Sequence, residues 1–249
     1  MSIFTSWYSK VYKVGALFLL SYTIIAGLTL HLPQVGDLEQ TSRNLFFHVP
    51  MWFTMYLMMF ISVVASILYI AKEKTELDSW AKESAITGIA FGIMGLLTGM
   101  IWSRVTWGQL LPDTDPAAWW SWDPKQTGAL AAIIMYLAYF VLRNSIQEET
   151  KRAKLAAIYN IFAAISLLPL TLIIPRILGG LHPGGEEGSP VFNTQDISAH
   201  YRIVFYPAII GFMCLALWIT EIRVRLFLIH QKLTEQDESY ATEYSNPIT

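Results

Sequence analysis

The chain has 249 residues, of which 54% are hydrophobic and only 14% charged, and its mean hydropathy is +0.42. A soluble domain carries about 25% charged residues, so this chain has too few to cover a globule of its size with polar surface. The formal net charge of −2 provides no basic field, so we expect no nucleic acid partner. The one cysteine, Cys214, excludes an internal disulfide, a dithiol redox centre and a CxxCH motif for covalent cofactor attachment.

Six apolar segments are each long enough to cross the bilayer, which requires roughly 20 residues of helix. They are Val14–Leu32, Phe46–Ala71, Ala85–Ser103, Lys125–Leu142, Leu155–Ile174 and Ile203–Thr220. The first has no A-x-A cleavage site after it and is interpreted as a retained helix. No acidic or basic residue interrupts the apolar bodies, which argues against an ion or proton transporter. We predict an all-α, polytopic integral membrane protein with six transmembrane helices in the lipid bilayer.

The distribution of positive charge predicts the orientation of these helices. With the N-terminus in the cytoplasm, twelve of the 17 lysines and arginines are cytoplasmic and five lie outside. The outer five are Arg43, Arg104, Lys125, Arg176 and Arg202. Both termini are therefore predicted to be cytoplasmic. Residues 1–232 form the predicted six-helix membrane domain, and the polar residues 233–249 form a cytoplasmic tail that we expect to be disordered.

Tryptophan is concentrated in the second predicted outer loop, near residues 104–124. Five of the nine tryptophans lie in or beside it: Trp102, Trp107, Trp119, Trp120 and Trp122. Single tryptophans favour the membrane–water interface, but this density favours a flat apolar ligand that stacks on indole rings. Asp115-Pro116 and Asp123-Pro124 each have the pattern of an N-cap followed by proline. The first predicts a short helix through the tryptophans, and the second predicts the start of the fourth span.

Four of the five histidines also lie on the predicted outer side: His31, His48, His182 and His200. His48 stands at the mouth of the second span, and His182 lies in the glycine-rich third outer loop. A lone interfacial histidine is usually a hydrogen-bonded bystander. Two that flank a tryptophan-rich loop favour iron ligation, because imidazole is a common heme ligand and two can bind the iron from opposite faces. The outer cations would pair with heme propionates or with lipid phosphates.

Several of these motifs match one known family. Trp107-Gly108 and the run from Trp119 to Pro124 resemble the WWD signature of heme-handling proteins, and ten residues, 109–118, separate its two parts. His48-Val49-Pro50 and Leu181-His182-Pro183 resemble the histidine-bearing loops on either side of that signature. With six spans, the chain is similar to the heme exporter protein C (CcmC) branch of cytochrome c biogenesis.

The resemblance implies a heme b site on the periplasmic side of the bacterial inner membrane. His48 and His182 would ligate the iron; the other site residues would be Arg104, Trp107, Trp119, Trp120, Trp122 and Asp123. The heme would pass to a periplasmic heme chaperone, and the other partners would be ABC-type export complex subunits and a small single-span subunit. The sequence has no Walker A motif and no nucleophile constellation, so we expect a delivery subunit and not an enzyme.

Two other functions stay open. A CcsA-type cytochrome c heme lyase subunit shares the heme site and the Trp-Asp-Pro ending, although that relative is longer and has more spans. A structural membrane subunit would use the same histidines and tryptophans only to anchor the interface, and would bind no heme.

Overall fold

The computed structural model describes residues 7–33, 36–110, 119–182 and 197–245. All regular structure in these ranges is helical: α1 (Trp7–Thr29), a 3-10 helix (Gly36–Asn44), α2 (Leu45–Lys72), α3 (Thr75–Leu110), α4 (Pro124–Ser145), α5 (Glu149–Leu168), a π-helical turn (Pro169–Ile173), α6 (Ile174–Leu178) and α7 (Ala199–Ser245). Six runs are long and apolar enough to cross a membrane: Ser9–Thr29, Gln40–Lys72, Thr75–Trp107, Pro124–Ser145, Glu149–Leu178 and Ala199–Thr234. The predicted number of spans is confirmed.

The most extensive helix contact is between α2 and a glycine-lined face of α3. A Cβ atom added at Gly88 would lie 2.9 Å from Cε of Met59, and one added at Gly92 would lie 2.6 Å from Sδ of Met55. Only glycine allows the α2 side chains to approach α3 so closely. The glycines at this spacing therefore allow α3 to pack closely against α2.

The helix α3 extends well beyond the predicted span Ala85–Ser103. Its 36 residues give a length of roughly 54 Å at 1.5 Å per residue, compared with about 30 Å for the hydrocarbon core. Arg104 and Trp107 therefore lie on the last turns of α3 and not in a loop, as the prediction had placed them. The helix continues because no proline follows Ser103 until Pro112, and proline disfavours the helical conformation in the residue before it.

Buried charges lie at the end of the bundle that contains the start of α3. Residues 72–84, which connect the second and third predicted spans, are mostly helix, because only Glu73 and Lys74 separate α2 from α3. At this end of the bundle the buried carboxylates of Asp78, Glu83 and Glu221 each have a cationic partner, which offsets the cost of burying a charge. The pairs are Asp78 with Arg143, Glu83 with Arg223 (2.7 Å), and Glu221 with Lys13 (2.8 Å) and Arg225. They tie α3 to α4, α3 to α7 and α1 to α7.

The polar tail differs from the prediction over residues 233–245, which continue α7 as helix. Their Glu, Gln and Ala residues favour helix, and adding residues to an existing helix avoids the cost of nucleation. Residues 246–249 lie outside the described part of the chain.

Candidate functional site

The imidazole of His48 lies in the first turn of α2 and is held by α3. Its Nδ1 lies 2.9 Å from the carbonyl oxygen of Gly95 and 3.2 Å from Oγ1 of Thr98. A carbonyl oxygen only accepts, so the bond to Gly95 requires the proton on Nδ1 and leaves the lone pair on Nε2. The ring also meets Trp52 edge-on, with centroids 6.3 Å apart. His48 is thus held as the tautomer that can bind a metal through Nε2.

A glycine of α3 provides the space for this ring. A Cβ atom added at Gly99 would lie only 2.7 Å from Cε1 of His48. Gly99 belongs to the glycine-lined face described above, but its neighbour is the candidate ligand and not a core methionine. Close helix packing and the position of His48 therefore depend on the same face of α3.

His182 is brought to His48 by the end of α6. Gly179 ends that helix in the left-handed region, with φ of 68°, a conformation that favours glycine. Two residues later, the backbone N–H of Leu181 donates to Oδ2 of Asp123 at 2.8 Å. The ring centroids of His182 and His48 lie 6.2 Å apart, with 38° between the ring planes.

The distance between the two ring centroids equals the distance expected for two imidazoles that bind one metal ion from opposite sides. A metal–imidazole bond is about 2 Å long and the nitrogen lies about 1 Å from the ring centre, so opposed ligands have centres about 6 Å apart. The observed 6.2 Å matches this requirement. Two imidazole donors are the axial set of a bis-histidine heme, so the donor chemistry also fits heme iron.

Lys125 competes with a metal for one nitrogen of His182. Its Nζ lies 3.2 Å from Nδ1 of that ring. An ammonium group only donates, so Nδ1 accepts and a neutral ring carries its proton on Nε2. Ligation by His182 therefore requires either that Lys125 leaves Nδ1 or that the ring proton is lost. His182 is the less prepared of the two candidate ligands.

The tryptophans form two groups. Trp102 and Trp107 on α3 meet edge to face with centroids 6.0 Å apart, and Trp102 lies 6.5 Å from His182. Trp107 is buried, whereas Trp119 and Trp122 are 56% and 82% exposed. Trp120 is partly buried and meets Trp122 edge to face at 6.1 Å.

Trp102 was missing from the predicted site. It lies three residues after Gly99 and therefore on the same face of α3 as the glycines. That spacing was the available signal.

Arg104 contacts Trp119, one of the two exposed tryptophans of the candidate site. Its guanidinium carbon lies 4.0 Å from the ring centroid of Trp119, the geometry of a cation–π contact. The contact ties the segment that precedes α4 to the last turns of α3.

Asp123 caps α4, as predicted, and is 5% exposed. Its Oδ1 accepts from the backbone N–H groups of Lys125 (2.9 Å) and Gln126 (3.4 Å). In the usual capping box the side chain of Gln126 would accept from the backbone N–H of Asp123, but here it bonds elsewhere. Its Oε1 accepts from Oγ of Ser121 at 2.8 Å and its Nε2 donates to Oγ of Ser103 at 2.9 Å.

Trp119 to Asp123 are not helical, so the predicted short helix through the tryptophans is wrong over these residues. Pro124 forces the residue before it out of the helical region, and Asp123 has a ψ of 133°. Its predicted start, Asp115-Pro116, lies outside the described residues.

The remaining histidines of the predicted outer side, His31 and His200, are exposed.

Arg43 donates to the carbonyl oxygens of Gly27 (2.7 Å) and Leu30 (3.0 Å), and so caps the C-terminal end of α1.

Residues 1–239 match the family model for heme exporter protein C, CcmC. The chain belongs to this family. Heme exporter protein C of Paracoccus denitrificans (strain Pd 1222) is 26% identical over 196 residues, which is 78% of this chain and 76% of that protein. The protein of the same name from Rhodobacter capsulatus is 24% identical over 231 residues, 88% of each chain.

A second group of relatives carries a different name. Cytochrome c biogenesis protein CcsA of Prochlorococcus marinus subsp. pastoris is 34% identical over 111 residues, which is 44% of this chain and 31% of that protein. This similarity covers much less of either protein than the two CcmC matches above cover. Membership of the CcmC family and the six apolar helical runs make the chain a multi-pass membrane protein.

Proposed function

We propose that this chain binds heme b at the outer face of the bacterial inner membrane and delivers it to a periplasmic heme chaperone during cytochrome c maturation. The main support is the 6.2 Å separation of the His48 and His182 rings, which suits two axial ligands of one iron. The names of the family and of its relatives, which refer to heme export and cytochrome c biogenesis, support the same cargo.

Heme is the cargo here, and it would supply an iron with two axial positions for the histidines. His48 is the prepared ligand because its tautomer leaves Nε2 able to bind. Trp102 provides apolar surface beside His182, with the buried Trp107 packed edge to face against it, and the exposed rings of Trp119 and Trp122 extend the aromatic surface toward the solvent. Trp120, Asp123 and Arg104 complete the proposed site. Lys125, displaced from His182 by iron, would be within reach of an anionic heme carboxylate.

The proposed orientation has both termini in the cytoplasm and the histidines on the periplasmic side. Its support is the bias of twelve cationic residues against five in the sequence. The candidate site then lies in the outer ends of α2, α3 and α4. A ligand at this level can be transferred to a soluble partner without crossing the hydrocarbon core again.

We further propose that the chain acts as a subunit and not as an enzyme. Its partners would be the ABC-type subunits of an export complex, a small single-span subunit and the periplasmic chaperone. A nucleotide-hydrolysing partner would drive any step that needs energy, since this sequence has no phosphate-binding loop.

Two measurements test this function. Heme added to the detergent-purified chain should give a sharp Soret band and a low-spin spectrum. In cells that lack the chain, the chaperone should accumulate without heme. A chain that stays colourless with heme would instead favour the structural-subunit alternative. A chaperone that loads normally while cytochrome c remains without heme would favour the CcsA-type lyase alternative, to which the Prochlorococcus similarity lends some support.

A further inference from the structure

We propose that Asp123 is a positioning residue for the second iron ligand: its carboxylate caps α4 with one oxygen and holds the His182 segment with the other. This inference rests on the proposed function, because His182 is a ligand only under that function. It assigns Asp123 a role different from the heme contact that the WWD resemblance implies.

The two oxygens of Asp123 bond to separate parts of the chain. Oδ1 accepts from the N–H groups of Lys125 and Gln126 in the first turn of α4, and Oδ2 accepts from the N–H of Leu181 at 2.8 Å. Asp123 is 5% exposed, so water competes little for these bonds. Hydrogen bonds from a backbone N–H to a carboxylate are among the stronger ones in proteins.

The segment before His182 fits closely against this carboxylate. A Cβ atom added at Gly180 would lie 2.5 Å from Oδ2 of Asp123 and 3.3 Å from Cδ of Pro124. The positive φ belongs to Gly179 and not to Gly180, so Gly180 is needed for close approach rather than for its backbone conformation. Because Leu181 directly precedes His182, a shift of its N–H also moves the imidazole.

The first turn of α4 is also tied to α3, next to Trp102. Gln126 is buried and donates to Oγ of Ser103 on α3 at 2.9 Å. Ser103 is next to Trp102, whose ring lies 6.5 Å from that of His182. Gln126 thus ties the first turn of α4 to α3 next to Trp102, while Asp123 holds the segment that precedes His182.

The substitution Asp123→Asn separates the two functions of the carboxylate. Asparagine is as good an N-cap as aspartate, so its oxygen can keep the bonds to the first turn of α4. Its NH₂ group then faces the N–H of Leu181, donor against donor. We expect hydrogen exchange at Leu181 in the heme-free protein to be roughly tenfold faster or more, with the first turn of α4 unchanged. In the heme-loaded protein we expect a high-spin fraction that added imidazole converts to low spin.

The matched control is Glu148→Gln at the N-cap of α5. Glu148 accepts from the N–H of Lys151 at 3.1 Å and lies at the opposite end of the bundle. This control should change neither the exchange at Leu181 nor the spectrum. Gly180→Ala disturbs the same contact while Asp123 itself is unchanged. This variant tests the inference if the Asp123→Asn protein does not fold.

Unchanged exchange at Leu181 and an unchanged spectrum in both variants would overturn the inference. Faster exchange with reduced heme affinity but intact bis-histidine bands would also overturn it, in favour of direct contact between Asp123 and heme. If the wild type binds no heme although exchange responds to Asp123→Asn, the proposed function fails and the ligand-positioning role fails with it, while the contact itself stands.

Discussion

The ring centroids of His48 and His182 lie 6.2 Å apart, although His48 lies in the first turn of α2 and His182 follows α6. Neither ring reaches this position by itself: α3 holds the first, and the N-terminal turn of α4 holds the second. The site therefore depends on the packing of α2, α3, α4 and α6, and single substitutions in those contacts provide tests.

Gly99→Ala should displace His48. A Cβ atom at this position would lie 2.7 Å from Cε1 of the ring, and the imidazole has little room to move because Nδ1 is bonded to Gly95. We expect heme affinity to fall by roughly tenfold, the equivalent of one lost hydrogen bond, and the low-spin bands to weaken.

The matched control is Gly92→Ala, about two turns earlier on the same face of α3. Its Cβ would meet the flexible Met55 side chain at 2.6 Å, which can shift. It should lower thermal stability and leave the ligand spectrum unchanged. Equal spectral effects of both variants would show that α3 packing in general, and not the space at Gly99, controls His48.

Substitutions at Trp102 and at Trp122 should change different properties of the heme-loaded protein, the first its ligand spectrum and the second its rate of heme loss. Trp102→Ala removes a ring that contacts His182, so we expect an altered ligand spectrum. Trp122→Ala removes a ring that is 82% exposed, so we expect unaltered bands and heme loss that is roughly three- to tenfold faster. Spectra and dissociation rates of the two variants would test this, and an unaltered spectrum for Trp102→Ala would contradict it.

Lys125→Met should make His182 a better ligand. Methionine has a similar length but cannot donate to Nδ1, so a neutral His182 can adopt the tautomer with a lone pair on Nε2. We expect slower heme dissociation than in the wild type, measured by transfer to an apo-globin acceptor. Faster dissociation would instead show that Lys125 contributes mainly through a heme carboxylate.

The apolar spans could be predicted because bilayer thickness fixes the length of a crossing helix. Helix ends could not, because the hydrophobic signal stops at the first charged residue while backbone hydrogen bonds continue. Arg104 and Trp107 were assigned to a loop for this reason. The assignment of His48 and His182 as ligands came from their position on either side of the tryptophan-rich loop and from the family resemblance, and it stays a prediction.

Other features of the candidate site required tertiary contacts that no local pattern encodes. Asp123 was predicted correctly as a helix cap, because an N-cap followed by proline is a local signal. Its second bond, to Leu181, joins residues that are distant in sequence and was not predictable. The same holds for Thr98 and Gly95, whose roles depend on the rotation of α3 against α2.

Asp78→Asn should destabilise the fold more than any comparable change at the surface. Arg143 is 4% exposed and would lose its carboxylate partner while still buried. Loss of one partner of a buried pair costs about 3–5 kcal/mol. The control, Arg152→Gln, breaks an exposed pair with Glu149 (3.0 Å) and should cost below about 1 kcal/mol. Thermal unfolding in detergent would measure both, and equal effects would contradict the buried-pair interpretation.

The most direct test of heme ligation compares the spectra of heme-loaded wild type, His48→Ala and His182→Ala, each with and without added imidazole. We expect low-spin, bis-histidine bands in the wild type, high-spin five-coordinate heme in each variant, and return of the low-spin bands when imidazole fills the vacated position. Wild-type-like bands in either variant would contradict ligation by the substituted histidine, and would direct the search for that ligand to His31 and His200.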